Sequence, residues 1–124
     1  MSNKKNAKLR NNFQKLEIIR RQLIKIILAK TDFIEGNLSK IKVRCGQPGC
    51  HCRKKPAHLV TRLGIYEDGK IKNKVVRIND RDKVGKLVQL YKNFKKTTQE
   101  LKQIEEKEKE IIKQIRKLRH WPYK

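Results

Sequence analysis

Residues 59–78 read LVTRLGIYEDGKIKNKVVRI, and this stretch decides the fold. Two runs rich in β-branched and apolar residues flank Glu67-Asp68-Gly69-Lys70. An Asp-Gly pair between such runs is a strong hairpin signal, because both central positions of the favoured tight turn need positive φ. With Asp68 and Gly69 as a two-residue turn, Leu59 faces Ile78 and Thr61 faces Val76, while Arg62, Lys72, Lys74 and Arg77 decorate both surfaces. A two-stranded ribbon is not stable alone. It needs a third strand, a helix or a metal to lean on.

Upstream, KIKVR (40–44) alternates and reads as a short strand. The preceding TDFIEGNLSK (31–40) carries Gly36-Asn37, a pair suited to a left-handed helix cap or a turn. Before it, from about Lys5 to Lys30, apolar residues recur at Leu9, Phe13, Leu16, Leu23 and Ile27 with Arg20 in the one gap, the steps of three and four of an amphipathic helix. Ile19, Ile24, Ile26 and Leu28 widen the stripe toward its end.

Downstream, Asn79 or Asp80 can cap a second helix and Asp82 suits its first turn. Its seam reads Val84, Leu87, Tyr91, Phe94, Thr98, Leu101 and Ile104, then Ile111, Ile115 and Leu118, with the charged Glu108 interrupting it. The two steps of three around Leu101 predict a local overwinding there. Running to about Arg119, this helix spans roughly 60 Å, longer than a small domain needs. Part of its seam would be left bare unless a second copy covers it, so the seam predicts a homodimer.

Composition fits a fold that spends apolar residues sparingly. In 124 residues, 36% are hydrophobic, 6% aromatic and 37% charged, which favours one small unit with seams and clusters over a large core. The formal net charge is +22, from 34 Lys and Arg against 12 Asp and Glu. Self-repulsion of that size implies a polyanionic partner. Nucleic acid is favoured, since counterion release from phosphates rewards charge density without any sequence readout. An anionic membrane surface is the competitor, but it usually needs a helix exposing bulky apolar residues. The start, MSNKKNAKLR, lacks the apolar stretch of a signal peptide, and the densest apolar run, LIKIILA, is broken by Lys25. A cytoplasmic location is expected.

All three cysteines lie in RCGQPGCHCRKKPAHL (44–59). Inside a cell, clustered cysteines suit metal better than disulfides, and an odd number cannot all pair. Zinc takes four N or S ligands tetrahedrally, and Cys45, Cys50, Cys52 and His58 supply a Cys3His set, with Pro48-Gly49 allowing the loop to fold back. His51 or His120 could replace His58. Reduced structural thiols are the plainer reading, and a reactive cysteine is a third, weakened because no carboxylate or amide is evident to orient a Cys-His pair. Arg53, Lys54 and Lys55 would stabilise thiolates and present charge to phosphates.

From Gly36 to Tyr66 the chain holds no acid, yet it carries Lys40, Lys42, Arg44, Arg53, Lys54, Lys55 and Arg62. With Lys72, Lys74 and Arg77 these are the expected nucleic-acid contacts. Phe13, Tyr91 and Phe94 sit in seams and read as core. Tyr66, Trp121 and Tyr123 lie outside the seams and are open to packing or to stacking on bases. Glu105–Lys109 and Glu110–Lys113 read as plain surface pairs.

The run IEGNLSKIKVRCGQPGCHC, a following His, a hairpin with DGK and a helix with LYKNFKK together resemble a family of small basic bacterial and archaeal proteins of unknown function, often encoded beside transposases, that share an Arg-Cys-Gly-x-Pro-Gly-Cys-x-Cys core. The likeness spans about Ile34 to Lys96. Cys45, Cys50, Cys52 and His58 match the family's shared positions, whereas Leu59-Val60 stands where Gly-Pro-Tyr is typical. The resemblance implies association with a mobile element and supplies no reaction.

The expected fold is α+β and mostly helical: a basic amphipathic helix (1–33), a zinc-stabilised β-hairpin module (34–79) and a long C-terminal helix with a short tail (80–124), the two helices packed as an antiparallel coiled-coil-like pair. The expected function is that of a zinc-binding, nucleic-acid-binding accessory protein, for DNA or RNA. The alternative is a helical assembly subunit that docks onto a transposase or other nucleic-acid enzyme. An enzyme is not expected, since no Gly-rich phosphate loop or paired-carboxylate site appears.

Overall fold

The computed structural model describes residues 2–44, 49 and 58–124. In order, the elements are α1 (Ser2–Ile27), β1 (Gly36–Val43), β2 (His58–Glu67), β3 (Lys70–Val76), a 3-10 turn (Ile78–Asp80) and α2 (Arg81–Arg119). The protein is therefore α+β, with two helices and a three-stranded antiparallel sheet in the order β1-β2-β3. No helix among the described residues is long and apolar enough to cross a membrane.

Two compact units form, one from Met1–Lys30 with Phe94–Lys124 and the other from Thr31–Asn93. The sheet unit is built on the hairpin. Asp68 and Gly69 both have positive φ, 50° and 76°, so β2 and β3 join through the two-residue turn with Glu67 opposite Lys70 and Thr61 opposite Val76. Strand pairing ends at Val76, and Ile78 enters the 3-10 turn instead of facing Leu59.

The third strand is longer than KIKVR. Gly36-Asn37, expected to cap a helix or open a turn, instead starts β1, with Gly36 opposite Ile65 and Asn37 opposite Gly64. The pairing offered by the ten-residue β2 overrides the local turn preference, as tertiary context commonly does for weak strand formers. Glycine at 36 has a steric reason as well, since a Cβ there would lie 2.6 Å from the Gly64 carbonyl oxygen.

One face of the sheet carries the core. Leu63 and Val76 are buried with Val88 of α2, and Ile34, Leu38, Ile65 and Val84 pack against them. The Ile34 N–H donates to the Leu87 carbonyl at 3.1 Å, and Phe33 lies against Tyr91 with ring centroids 5.4 Å apart. Tyr91 thus belongs to the core side of this unit.

In the helical unit, α1 begins and ends about three residues earlier than the 5–30 read from periodicity. Leu23, Thr97, Ile104 and Glu108 are buried. The seam of α2 passes through Thr97 rather than Thr98, whose hydroxyl donates to the Lys95 carbonyl at 2.7 Å. Steps around Leu101 become four and three, so the overwinding expected there is absent from the burial pattern.

The two charged interruptions of the seams meet. Arg20 reaches Glu108 at 3.8 Å and Glu105 at 4.0 Å. Toward the other end, Leu16 and Ile111 line one shallow depression and Leu9 and Leu118 another. Burial first, and then a hydrogen bond and the charge of Glu17, raise the Glu108 carboxyl to about 7, against the partial relief given by Arg20. Protonated Glu108 donates to Glu17 in this arrangement.

Candidate nucleic-acid interface

The pairing register distributes the expected basic contacts over both faces of the sheet. Residues opposite one another across antiparallel strands share a face. Lys40 pairs with Thr61, Lys42 with Leu59, Lys72 with Ile65 and Lys74 with Leu63, so these four lysines lie on the face that carries the core, two on each edge strand. All four are exposed. Lysines on edge strands also discourage edge-to-edge pairing with other chains.

Arg62 lies on the opposite face, half-buried in the central strand between Ser39 and Val75. Arg44 follows β1 and Arg77 follows β3, both exposed. Lys72 differs from its neighbours in being ion-paired, with Glu67 at 3.1 Å. Both side chains are about half exposed, so the pair is a weak one.

Of the expected zinc ligands, Cys45, Cys50 and Cys52 lie outside the described residues, as do Arg53, Lys54, Lys55 and the alternative ligand His51. His58 opens β2 directly opposite Val43 at the end of β1. That pair brings together the two ends of the stretch of sequence that contains all three cysteines. Bringing these ends together lowers the entropic cost of gathering ligands from within that stretch. His120, the other alternative, directly follows α2, its N–H donating to the Arg116 carbonyl at 3.0 Å. Among the described residues no group of three or more His, Cys, Asp or Glu side chains could hold a metal ion.

The sheet face away from the core joins Arg62 and Tyr66, both noted from sequence, to Ile71, Asn73 and Val75, which composition and spacing did not single out. Tyr66 pairs with Ile71, Gly64 with Asn73 and Arg62 with Val75 on the β3 side; Gly64 pairs with Asn37, Arg62 with Ser39 and Val60 with Ile41 on the β1 side. Tyr66, Ile71 and Val75 are 63%, 64% and 63% exposed. The signal was present in the hairpin: once Asp68-Gly69 fixes the register, even-numbered β2 residues and odd-numbered β3 residues must share this face.

The chain matches no protein-family model, and searches of the curated proteins and of the solved structures return no match.

Proposed function

We propose that this protein is a non-enzymatic nucleic-acid-binding accessory factor, for DNA or RNA, in which the sheet module grips phosphates largely without reading bases. The observation that carries this reading is the register that sets Lys40, Lys42, Lys72 and Lys74 on one face of the sheet, in a chain of net charge +22 whose residues 36–66 contain no acid. Phosphate contacts from lysine position a protein on nucleic acid without sequence information. The motif resemblance adds a context, a mobile element or another nucleic-acid-processing complex, and the cytoplasm is proposed as the place of action.

Zinc belongs to the same proposal, held by Cys45, Cys50, Cys52 and His58. It would tie the stretch between Val43 and His58 into a fixed shape and hold the basic Arg53, Lys54 and Lys55 nearby in sequence at the base of the sheet. The long helices are proposed to pack as an antiparallel coiled-coil-like pair in a homodimer. The meeting of Arg20 with Glu105 and Glu108, and the descending match of Leu16 with Ile111 and Leu9 with Leu118, support the antiparallel sense.

A second reading, docking onto a transposase or other enzyme, draws support from Ile18, Ile26 and Ile112, each more than half exposed on the helical unit. Binding of labelled DNA and RNA, measured by fluorescence anisotropy over a salt series, separates the two. The nucleic-acid reading requires affinity that falls about 10²-fold or more between 50 and 200 mM salt. Affinity that does not change with salt, or no binding at all, rejects it in favour of docking.

A further inference from the structure

We infer that the open face of the sheet, around Tyr66, is a platform for single-stranded nucleic acid, distinct from the lysine-bearing core face. The inference rests on the nucleic-acid reading above and assigns it a strand form and a surface.

Three features of the face support it. First, it is apolar where a soluble sheet ordinarily presents polar side chains. Tyr66, Ile71 and Val75 are each nearly two-thirds exposed, and Ile41 and Val60 continue the surface across the other strands. A half-solvated antiparallel sheet normally alternates apolar-in and polar-out, so an apolar outer face marks a surface that meets something.

Second, its charge suits an anion. Its strand positions, which also include Asn37, Ser39, His58, Arg62, Gly64 and Asn73, contain no acid, and Arg62 stands in the central strand with a polar Ser39 at its side. A peptide partner would need acids of its own to match. A nucleic acid brings phosphates to every residue of its length.

Third, the side chains on the face supply both recognition elements of an unpaired base. An exposed tyrosine ring offers a flat surface for a base, and every base has a π-face, so stacking is tolerant of sequence. Asn73 stands over Gly64, close enough that a Cβ at 64 would lie 3.3 Å from its Oδ1. Its amide supplies a donor and an acceptor to a base edge. A duplex cannot offer a base face to the ring without being unstacked, because its bases are stacked on one another.

The experiment uses the full-length protein with fluorescein-labelled oligonucleotides of one sequence, single-stranded and as a blunt duplex, by anisotropy at fixed salt. Tyr66→Ala is expected to weaken single-strand binding about tenfold and to leave duplex binding within twofold, while Tyr66→Phe retains the wild-type affinity for both. Arg62→Gln is expected to lower the single-strand salt slope by about 0.7. Circular dichroism of each variant checks that the sheet is intact, which the exposure of Tyr66 favours. If Tyr66→Ala binds both forms as tightly as wild type, or loses both equally, with salt dependence retained, this inference falls and the nucleic-acid reading stands. If neither form binds wild type at any salt, both fall.

Discussion

Replacing Glu108 by Gln should stabilise the protein at pH 8 and leave it unchanged at pH 4. Glu108 is 7% exposed, hydrogen-bonded to Glu17, and carries a carboxyl raised from 4.5 to about 7 by burial first and Glu17 second. A folded state that holds this proton more tightly than the unfolded chain loses stability as pH rises from about 4.5 to 7 and has lost the full amount above 7. At about 1.36 kcal/mol per pH unit across that window the charged form costs at most about 3.4 kcal/mol. Arg20 and Glu105 are more than a third exposed, so solvent screening brings the expected cost to about 1–3 kcal/mol. Glutamine keeps the shape and can donate its amide N–H to Glu17. The bridge it forfeits, to a partly exposed Arg20 at 3.8 Å, is worth little. Thermal melts by circular dichroism should place Glu108→Gln about 4–12 °C above wild type at pH 8, at roughly 4 °C per kcal/mol, and level with it at pH 4. A variant that melts below wild type at pH 8, or that shows the same offset at both pH values, refutes the buried-proton account.

Two further outcomes follow from the sheet module. Gly36→Ala should lower the unfolding free energy by about 1–3 kcal/mol, read from denaturant melts, because the new Cβ would sit 2.6 Å from the Gly64 carbonyl oxygen and backbone must yield; a melt unchanged within error would mean that β1 does not pair there. Protein purified without chelator should contain one zinc per chain, and chelation should reduce its strand signal, since a structural zinc site contributes folding free energy directly; metal-free protein with unchanged circular dichroism would make the cysteines plain thiols.

The hairpin was legible because its turn chemistry and its alternation point the same way. Asp68-Gly69 fixes the pairing of Thr61 with Val76, and with it which residues of β2 and β3 share a face. Helix positions followed from apolar spacing. The start of β1 did not: Gly36 and Asn37 favour turns locally, and only the neighbouring β2, which Gly36 can approach closely because it lacks a side chain, draws them into the sheet. The choice of Thr97 over Thr98 was likewise hidden, since the two residues are chemically identical and only packing distinguishes them. Arg20 and Glu108 each looked like a flaw in its own seam. Periodicity treats one helix at a time, whereas the compensation lies across two helices, where the interruptions face one another. The basic residues of the candidate interface were visible from composition, but their division between faces required the register; Tyr66 stood open between packing and stacking, and Ile71 and Val75 looked like ordinary strand residues until the side of the core was known.

The role proposed for the sheet lysines is to neutralise phosphates. Its most direct test is the salt dependence of nucleic-acid binding by a Lys40→Gln, Lys42→Gln, Lys74→Gln triple variant, with Lys72 left in place because Glu67 already pairs with it. All three substituted side chains are exposed, so the fold should survive. Each phosphate contact removed should lower the slope of log K against log salt by about 0.9 on duplex DNA, giving a total loss of about two to three and weaker binding at low salt. A slope equal to that of the wild type, with affinity undiminished, would contradict the account and move the phosphate contacts off this face.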